Sequence, residues 1–172
     1  DYVVVAGRTS AGKTAFALSL VRNIAIRPDE SERKGVAIFT LEMSKEQIVL
    51  RLLAAEAKVS AQAMREGFLT REELNELAMK IDRVASAPIY IDDTPNLSVM
   101  EMRSKARRLA RRVDIDVIVV DYLQLVRPSA RADSRQEEVA SISRSLKALA
   151  RELGVTVIAL AQLSRRVEET RD

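Results

Sequence analysis

The chain contains no cysteine, no histidine and no tryptophan. Without cysteine there are no disulfides and no thiolate metal sites. Without histidine, Ser-His and Cys-His nucleophilic catalysis and His-ligated metals are excluded as well. Any acid–base chemistry must fall to Asp, Glu, Lys or water. Aromatic residues make up only 3% of the sequence, so a core has to be built from Val, Ile, Leu, Ala and Met. No uncharged apolar stretch approaches the ~20 residues that span a bilayer. No signal peptide is visible, since Asp1 leads directly into a strand-like run. These absences fit a cytosolic protein with no membrane partner.

What is present fits one ordinary domain: 172 residues, 47% hydrophobic and 31% charged. The formal net charge is +3. With neither histidine nor cysteine, almost nothing titrates between the carboxylates and the Lys/Tyr range. The charge therefore persists over a wide pH interval, and the sequence pI rises to about 9.4. That charge alone does not imply nucleic acid; the placement of the positive groups matters more.

Five strand-like runs alternate with helical patterns: Tyr2–Ala6, Val36–Thr40, Ile89–Asp92, Val117–Asp121 and Thr156–Ala161. Most are continuous apolar runs, as expected of strands covered on both faces. Ser44–Gln47, Thr70–Glu73, Ser98–Glu101 and Ser134–Glu137 have the capping-box form that starts a helix. Behind three of them apolar residues recur at spacings of three and four: Leu74, Leu77, Ile81, Val84; then Val99, Met102, Ala106, Leu109, Val113; then Val139, Ile142, Leu146, Leu149, Leu153. All three stripes are expected to face the core, and Gly154 is placed to stop the last helix. Arg27–Gly35 and Arg127–Arg135 lack periodicity and read as a surface loop and a mobile basic loop. Strands alternating with helices predict an α/β fold, a mostly parallel central sheet covered by helices on both faces.

Gly7, Arg8, Thr9, Ser10, Ala11, Gly12, Lys13 and Thr14 match G-x-x-x-x-G-K-[ST] in full, between an apolar strand and a helical pattern. The glycines permit conformations and close approach that a side chain would block. The loop's N–H groups and the helix N-terminus suit phosphate, Lys13 reaches the β- and γ-phosphates, and the Thr14 hydroxyl completes a Mg²⁺ shell. ATP and Mg²⁺ are the expected ligands. Val117–Asp121 is four apolar residues ending in a carboxylate, so Asp121 is the second candidate for the Mg²⁺ site. Glu42 also ends a strand-like run. It can act on the attacking water, or it can serve as a carboxylate at the helix N-terminus that follows; the pattern leaves both open. Gln162 ends another such run and can sense a γ-phosphate or be an ordinary polar strand end. Asp92 and Asp93 are explained by turn and helix-start roles.

Taken together, several stretches resemble the DnaB-type replicative helicases: Gly7–Leu18, Leu41–Ser44, Ile89–Pro95, Asp121–Leu125, Ser143–Leu153 and Ala159–Arg165. The resemblance runs in order over nearly the whole chain. It implies a three-layer RecA-like P-loop ATPase core, homo-hexameric rings, movement along single-stranded DNA, primase and helicase-loader partners, and a bacterial cytosolic, nucleoid-associated location. It also implies Glu42 as the catalytic glutamate, Lys13 and Thr14 as the P-loop lysine and Mg²⁺ ligand, and Asp121 as the Walker B aspartate. Gln162 would couple nucleotide state to DNA-facing loops, and the first such loop would carry Arg127, Arg131 and Arg135. That loop lacks aromatics, so contact with the DNA backbone is expected. The basic helix with Arg103, Lys105, Arg107, Arg108, Arg111 and Arg112 reads instead as a solvated outer face.

The family also has an N-terminal helical domain, later strands, a second DNA-facing loop and an arginine finger, none of which the sequence contains. The expectation is one domain, residues 1–172, truncated at both ends relative to a full-length helicase and weakly active or inactive alone. The resulting prediction is an ATP-dependent DNA helicase motor. A RecA-like recombinase or recombination mediator is the alternative. A small-molecule kinase would need an acceptor pocket and an Arg-rich lid, and neither is evident. A degenerate interaction module is opposed by the intact Lys13, Thr14, Asp121 and Glu42.

Overall fold

The computed structural model describes residues 1–127 and 134–163. Its strands are β1 (Tyr2–Gly7), β2 (Val36–Thr40), β3 (Ile89–Asp92), β4 (Val117–Asp121) and β5 (Thr156–Gln162). They form one sheet in the order β1-β5-β4-β2-β3, and every pairing is parallel. The helices are α1 (Lys13–Ala25), α2 (Lys45–Ala57), α3 (Ala61–Glu66), α4 (Arg71–Ala85), α5 (Val99–Ala110) and α6 (Arg135–Leu153). Short 3₁₀ turns lie at Glu30–Glu32, inside the expected surface loop, and at Leu123–Leu125. The α/β expectation holds, with the strand positions displaced by at most a residue.

Strand periodicity divides the core in two. Ala37, Phe39, Ile118, Val120, Val157 and Ala159 point toward α5 and α6, where Met102, Ile142, Leu146 and Leu149 meet them. Val36, Ile38, Val117, Val119, Ile158 and Leu160 point the other way, onto Val21 of α1 and Ile48 and Leu52 of α2. Burial on both faces explains why β2 and β4 carry unbroken apolar runs.

The edges differ from that expectation. Val3 and Val4 of β1 are about half exposed, at 45% and 46%, and β3 is only half-buried throughout. Among the described residues each edge strand pairs on one side alone, and its outward side chains have less above them.

Helix starts follow the sequence closely. Ser44, Thr70 and Ser98 each accept the N–H of the residue three positions on, whose side chain accepts the cap's own N–H, and the Ser134 side chain accepts the Glu137 N–H. Gly154 ends α6 in the left-handed region, at φ 69°. The short α3, capped by Ser60, has too few residues to show a periodic signature.

One stripe is not core-facing. In α4, Leu74 and Ile81 are 51% and 48% exposed, and no residue of the helix is fully buried. α4 lies on α2, and only Val84 packs against the α1/α2 core. Periodicity establishes an amphipathic helix but does not say what covers its apolar side. The ion triad of Glu56 with Arg22 of α1 at 2.6 Å and Arg83 of α4 at 3.1 Å ties this outlying helix to the rest.

Candidate functional site

Parallel strands bring all their carboxyl ends to one edge, where Thr40, Asp121 and Gln162 at the ends of β2, β4 and β5 collect beside the loop that follows β1. A cleft of about 370 Å³ opens at this edge, lined by Lys13, Thr14, Glu42, Arg51, Asp121 and Gln162 among others. A larger cleft of about 600 Å³ lies between β3 and α5 and is lined by none of these residues. Size does not decide between the two clefts; the grouping of functional side chains does.

The phosphate loop follows β1. Gly12 adopts φ 83° as the N-cap of α1, a conformation that disfavours any side chain although space is open around it. A Cβ on Gly7 would come within 3.3 Å of the Lys13 side chain, so the loop closes tightly there. The start of α1 has no side-chain cap and no acidic residue in its first turn. Its N–H groups and positive dipole end therefore remain available to an anion. Lys13 Nζ donates to the Arg8 carbonyl at 2.7 Å, folded along the loop.

Thr14 Oγ1 donates to Asp121 Oδ2 at 2.8 Å, joining the phosphate loop to the end of β4. Asp121 is 4% exposed. Burial pushes its carboxyl above the usual range; Glu42 adds to this, while the Thr14 bond, Lys13 and Arg51 oppose it. A hydroxyl and a buried carboxylate side by side are hard oxygen donors suited to Mg²⁺. Among the described residues no cluster of three or more acidic side chains could hold a metal alone.

Glu42 follows β2 and lines the same cleft. The competing helix-start role is filled by others. Ser44 accepts the Gln47 N–H, the Gln47 side chain accepts the Ser44 N–H, and Asp93 accepts the Lys45 N–H at 3.0 Å. Thr40 shapes the turn that carries Glu42, bonding both the N–H and the carbonyl of Met43. Asp92 makes its own local turn with the Thr94 N–H and pairs with Lys105 at 2.5 Å. Burial raises the Asp92 carboxyl, but the bonds from Lys105 and Thr94 outweigh it and hold it below the usual range.

Gln162 Nε2 donates to Thr9 Oγ1 at 2.6 Å, which brings the end of β5 onto the phosphate loop. Of the basic-loop residues, Arg127 donates to the Asn96 carbonyl and lies 3.7 Å from Glu101. Arg135 pairs with Glu138 at 2.5 Å and donates to the Gln124 carbonyl. Both arginines thus anchor the ends of the segment instead of standing free of the fold. Arg131 lies outside the described residues. On the basic helix, Arg103 and Arg107 pair with Glu152 of α6 and Lys105 with Asp92; Arg108, Arg111 and Arg112 are all exposed, and none carries an ion pair as close as these.

Two further residues bear on the site without any signal in the sequence: Arg51, which lines the cleft, and Gln124, which lies outside its lining and holds the backbone of Gln162. Arg51 enters the cleft from α2, where helical spacing next to buried Ile48 and Leu52 gives no functional cue. Gln124 lies within the Asp121–Leu125 stretch but contacts Gln162 across the sheet edge, which no local pattern encodes.

Residues 1–172 match the family described as "DnaB-like helicase C terminal domain". The chain is 51% identical to the replicative DNA helicase DnaB of Geobacillus stearothermophilus and to the replicative DNA helicase DnaC of Bacillus subtilis (strain 168). Both alignments cover the whole chain but 37% of each relative, so the chain spans little over a third of their length. A solved structure described as an ATPase domain superposes with a TM-score of 0.87 at 37% identity, covering 100% of this chain and 60% of that one. A DnaB-like replicative helicase, described with its interactions with primase, gives 0.88 at 36% identity, covering 100% and 41%. The chain belongs to the DnaB-like helicase C-terminal domain family.

Proposed function

We propose that the chain is the ATP-hydrolysing motor of a replicative DNA helicase, coupling Mg²⁺-dependent ATP turnover to movement along single-stranded DNA and duplex unwinding. The observation that carries the reading is the 2.8 Å bond from Thr14 to Asp121, with Lys13, Glu42 and Gln162 in the same cleft. The loop from Gly7 to Thr14 and the start of α1 bind the β- and γ-phosphates through backbone N–H groups, and Lys13 swings onto them from the Arg8 carbonyl. Thr14 Oγ1 and Asp121 would hold a Mg²⁺ ion, which when bound would supply positive charge to offset the negative charge of the phosphate oxygens. Glu42 orients a water and accepts its proton as the oxygen attacks the γ-phosphorus. The bond to the β–γ bridging oxygen breaks, leaving ADP and inorganic phosphate. Gln162 reads the γ-phosphate and exchanges its bond to Thr9 for one to that group.

The recombinase alternative finds no favour among relatives named as replicative helicases. A homo-hexameric ring, contacts to single-stranded DNA around Arg127, Arg131 and Arg135, primase and loader partners, and a bacterial cytosolic, nucleoid-associated location belong to the same proposal. No helix among the described residues is long and apolar enough to cross a membrane. The test is unwinding of a forked duplex by the full-length protein with Mg²⁺ and ATP. Strand separation that needs both ATP and an intact Lys13 is expected. Absence of unwinding, alongside filament formation on DNA, would transfer the chain to the recombinase reading.

A further inference from the structure

β5 extends beyond its neighbour. Its pairing with β4 ends at Val120 and Ala159, while its pairing with β1 continues to Gly7 and Gln162. On the β4 side the gap is filled by a side chain. Gln124, in the 3₁₀ turn after β4, accepts the Gln162 N–H on its Oε1 at 3.1 Å. Its Nε2 donates back to the Gln162 carbonyl at 2.8 Å. One planar carboxamide thus supplies the donor and the acceptor that a neighbouring strand would have supplied.

The same residue lies between two other contacts. Gln162 reaches the phosphate loop through Thr9 at 2.6 Å, and Arg135, the first residue of α6, donates to the Gln124 backbone carbonyl. A chain of hydrogen bonds therefore runs Thr9–Gln162–Gln124–Arg135. It starts at the phosphate loop and ends at the two elements that flank residues 128–133.

We infer that Gln124 is a positioning residue that passes the state of the phosphate loop, through Gln162, to the Leu123–Leu125 turn and the start of α6. The inference rests on the nucleotide site proposed above. When Gln162 leaves Thr9 for a γ-phosphate, its backbone carries the clamped Gln124 amide with it, and the turn and Arg135 follow. The chemistry is specific to a carboxamide at this length. Glutamate cannot donate to the Gln162 carbonyl, leucine can do neither job, and asparagine is one methylene too short to make both bonds.

The test is hydrogen exchange on the full-length protein, with a non-hydrolysable ATP analogue and with ADP, for wild type, Gln124→Leu and Gln124→Glu. In wild type the two nucleotides should give exchange rates differing at least threefold at Leu123–Arg127 and at the first turn of α6. In both variants that difference should vanish, while affinity for the analogue stays within about twofold. A merely structural role would speed exchange in both nucleotide states and preserve the difference, and that result overturns the inference. So does a wild-type protein that binds both nucleotides without any difference at these amides. Failure of wild type to bind the analogue at all would instead overturn the nucleotide site, and this inference with it.

Discussion

Thr14 and Asp121 lie 107 positions apart in sequence and 2.8 Å apart in space. Each is recognisable from its own surroundings, Thr14 from the phosphate-loop spacing and Asp121 from the apolar run it ends. Both signals are local, which is why they can be read. Glu42 is ambiguous in the sequence for the same reason. A carboxylate two residues before an N-cap has two local explanations, and only Ser44, Gln47 and Asp93 filling the start of α2 separates them. Arg51 and Gln124 depend on contacts between elements and leave no local trace. At this scale the clearest expectation concerns Lys13. Replacing Lys13 with Ala removes the charged donor to the phosphates, worth about 1.5–3 kcal/mol, or roughly ten- to a hundredfold in ATP affinity. Titration with a fluorescent ATP analogue measures it, and unchanged affinity would remove the phosphate-loop assignment.

Among the elements, the helices are legible as helices because capping boxes and 3.6-residue periodicity are written in consecutive residues. What each helix packs on is not. α4 carries a clear apolar stripe and has the least burial of the long helices, because it sits on α2 instead of on the sheet. Its attachment leans on Glu56, whose side chain is 6% exposed between Arg22 and Arg83. Burial alone would raise the Glu56 carboxyl, but the two arginine bonds prevail and hold it low. Glu56→Ala leaves two arginines that are about a third exposed and can reach water, so a cost of about 1–3 kcal/mol is expected. Thermal unfolding should show it, and hydrogen exchange should rise first in α4. A loss spread evenly over α1, α2 and α4 would argue against the tether.

Between α5 and α6 the corresponding tie is Glu152, bonded by Arg107 and then Arg103, which lower its carboxyl to about 2 from an ordinary 4.5. A depressed carboxylate stabilises the fold fully above the unfolded value of 4.5 and loses that contribution as pH falls toward 2. The difference in Tm between wild type and Glu152→Gln should therefore be largest near neutral pH and close as pH drops through that window. A gap that persists at pH 2 would mean the two arginines do not act through the charge.

For the whole molecule, continuous apolar runs alternating with helices are enough to specify a parallel α/β sheet. The order β1-β5-β4-β2-β3 follows from long-range pairing and is not available from any single stretch. That order places β1, β5 and β4 side by side, which is what gathers Lys13, Asp121 and Gln162 at one edge. The central claim is that this edge hydrolyses ATP under the control of DNA, with Glu42 acting on the water. It is tested most directly by steady-state ATP hydrolysis of the full-length protein, with and without single-stranded DNA, for wild type beside Glu42→Gln. The expected result is a wild-type rate raised several-fold by DNA and a variant that still binds ATP but turns over about 10²–10⁴ times more slowly. A wild-type rate indifferent to DNA, or a variant hydrolysing as fast as wild type, would contradict the account.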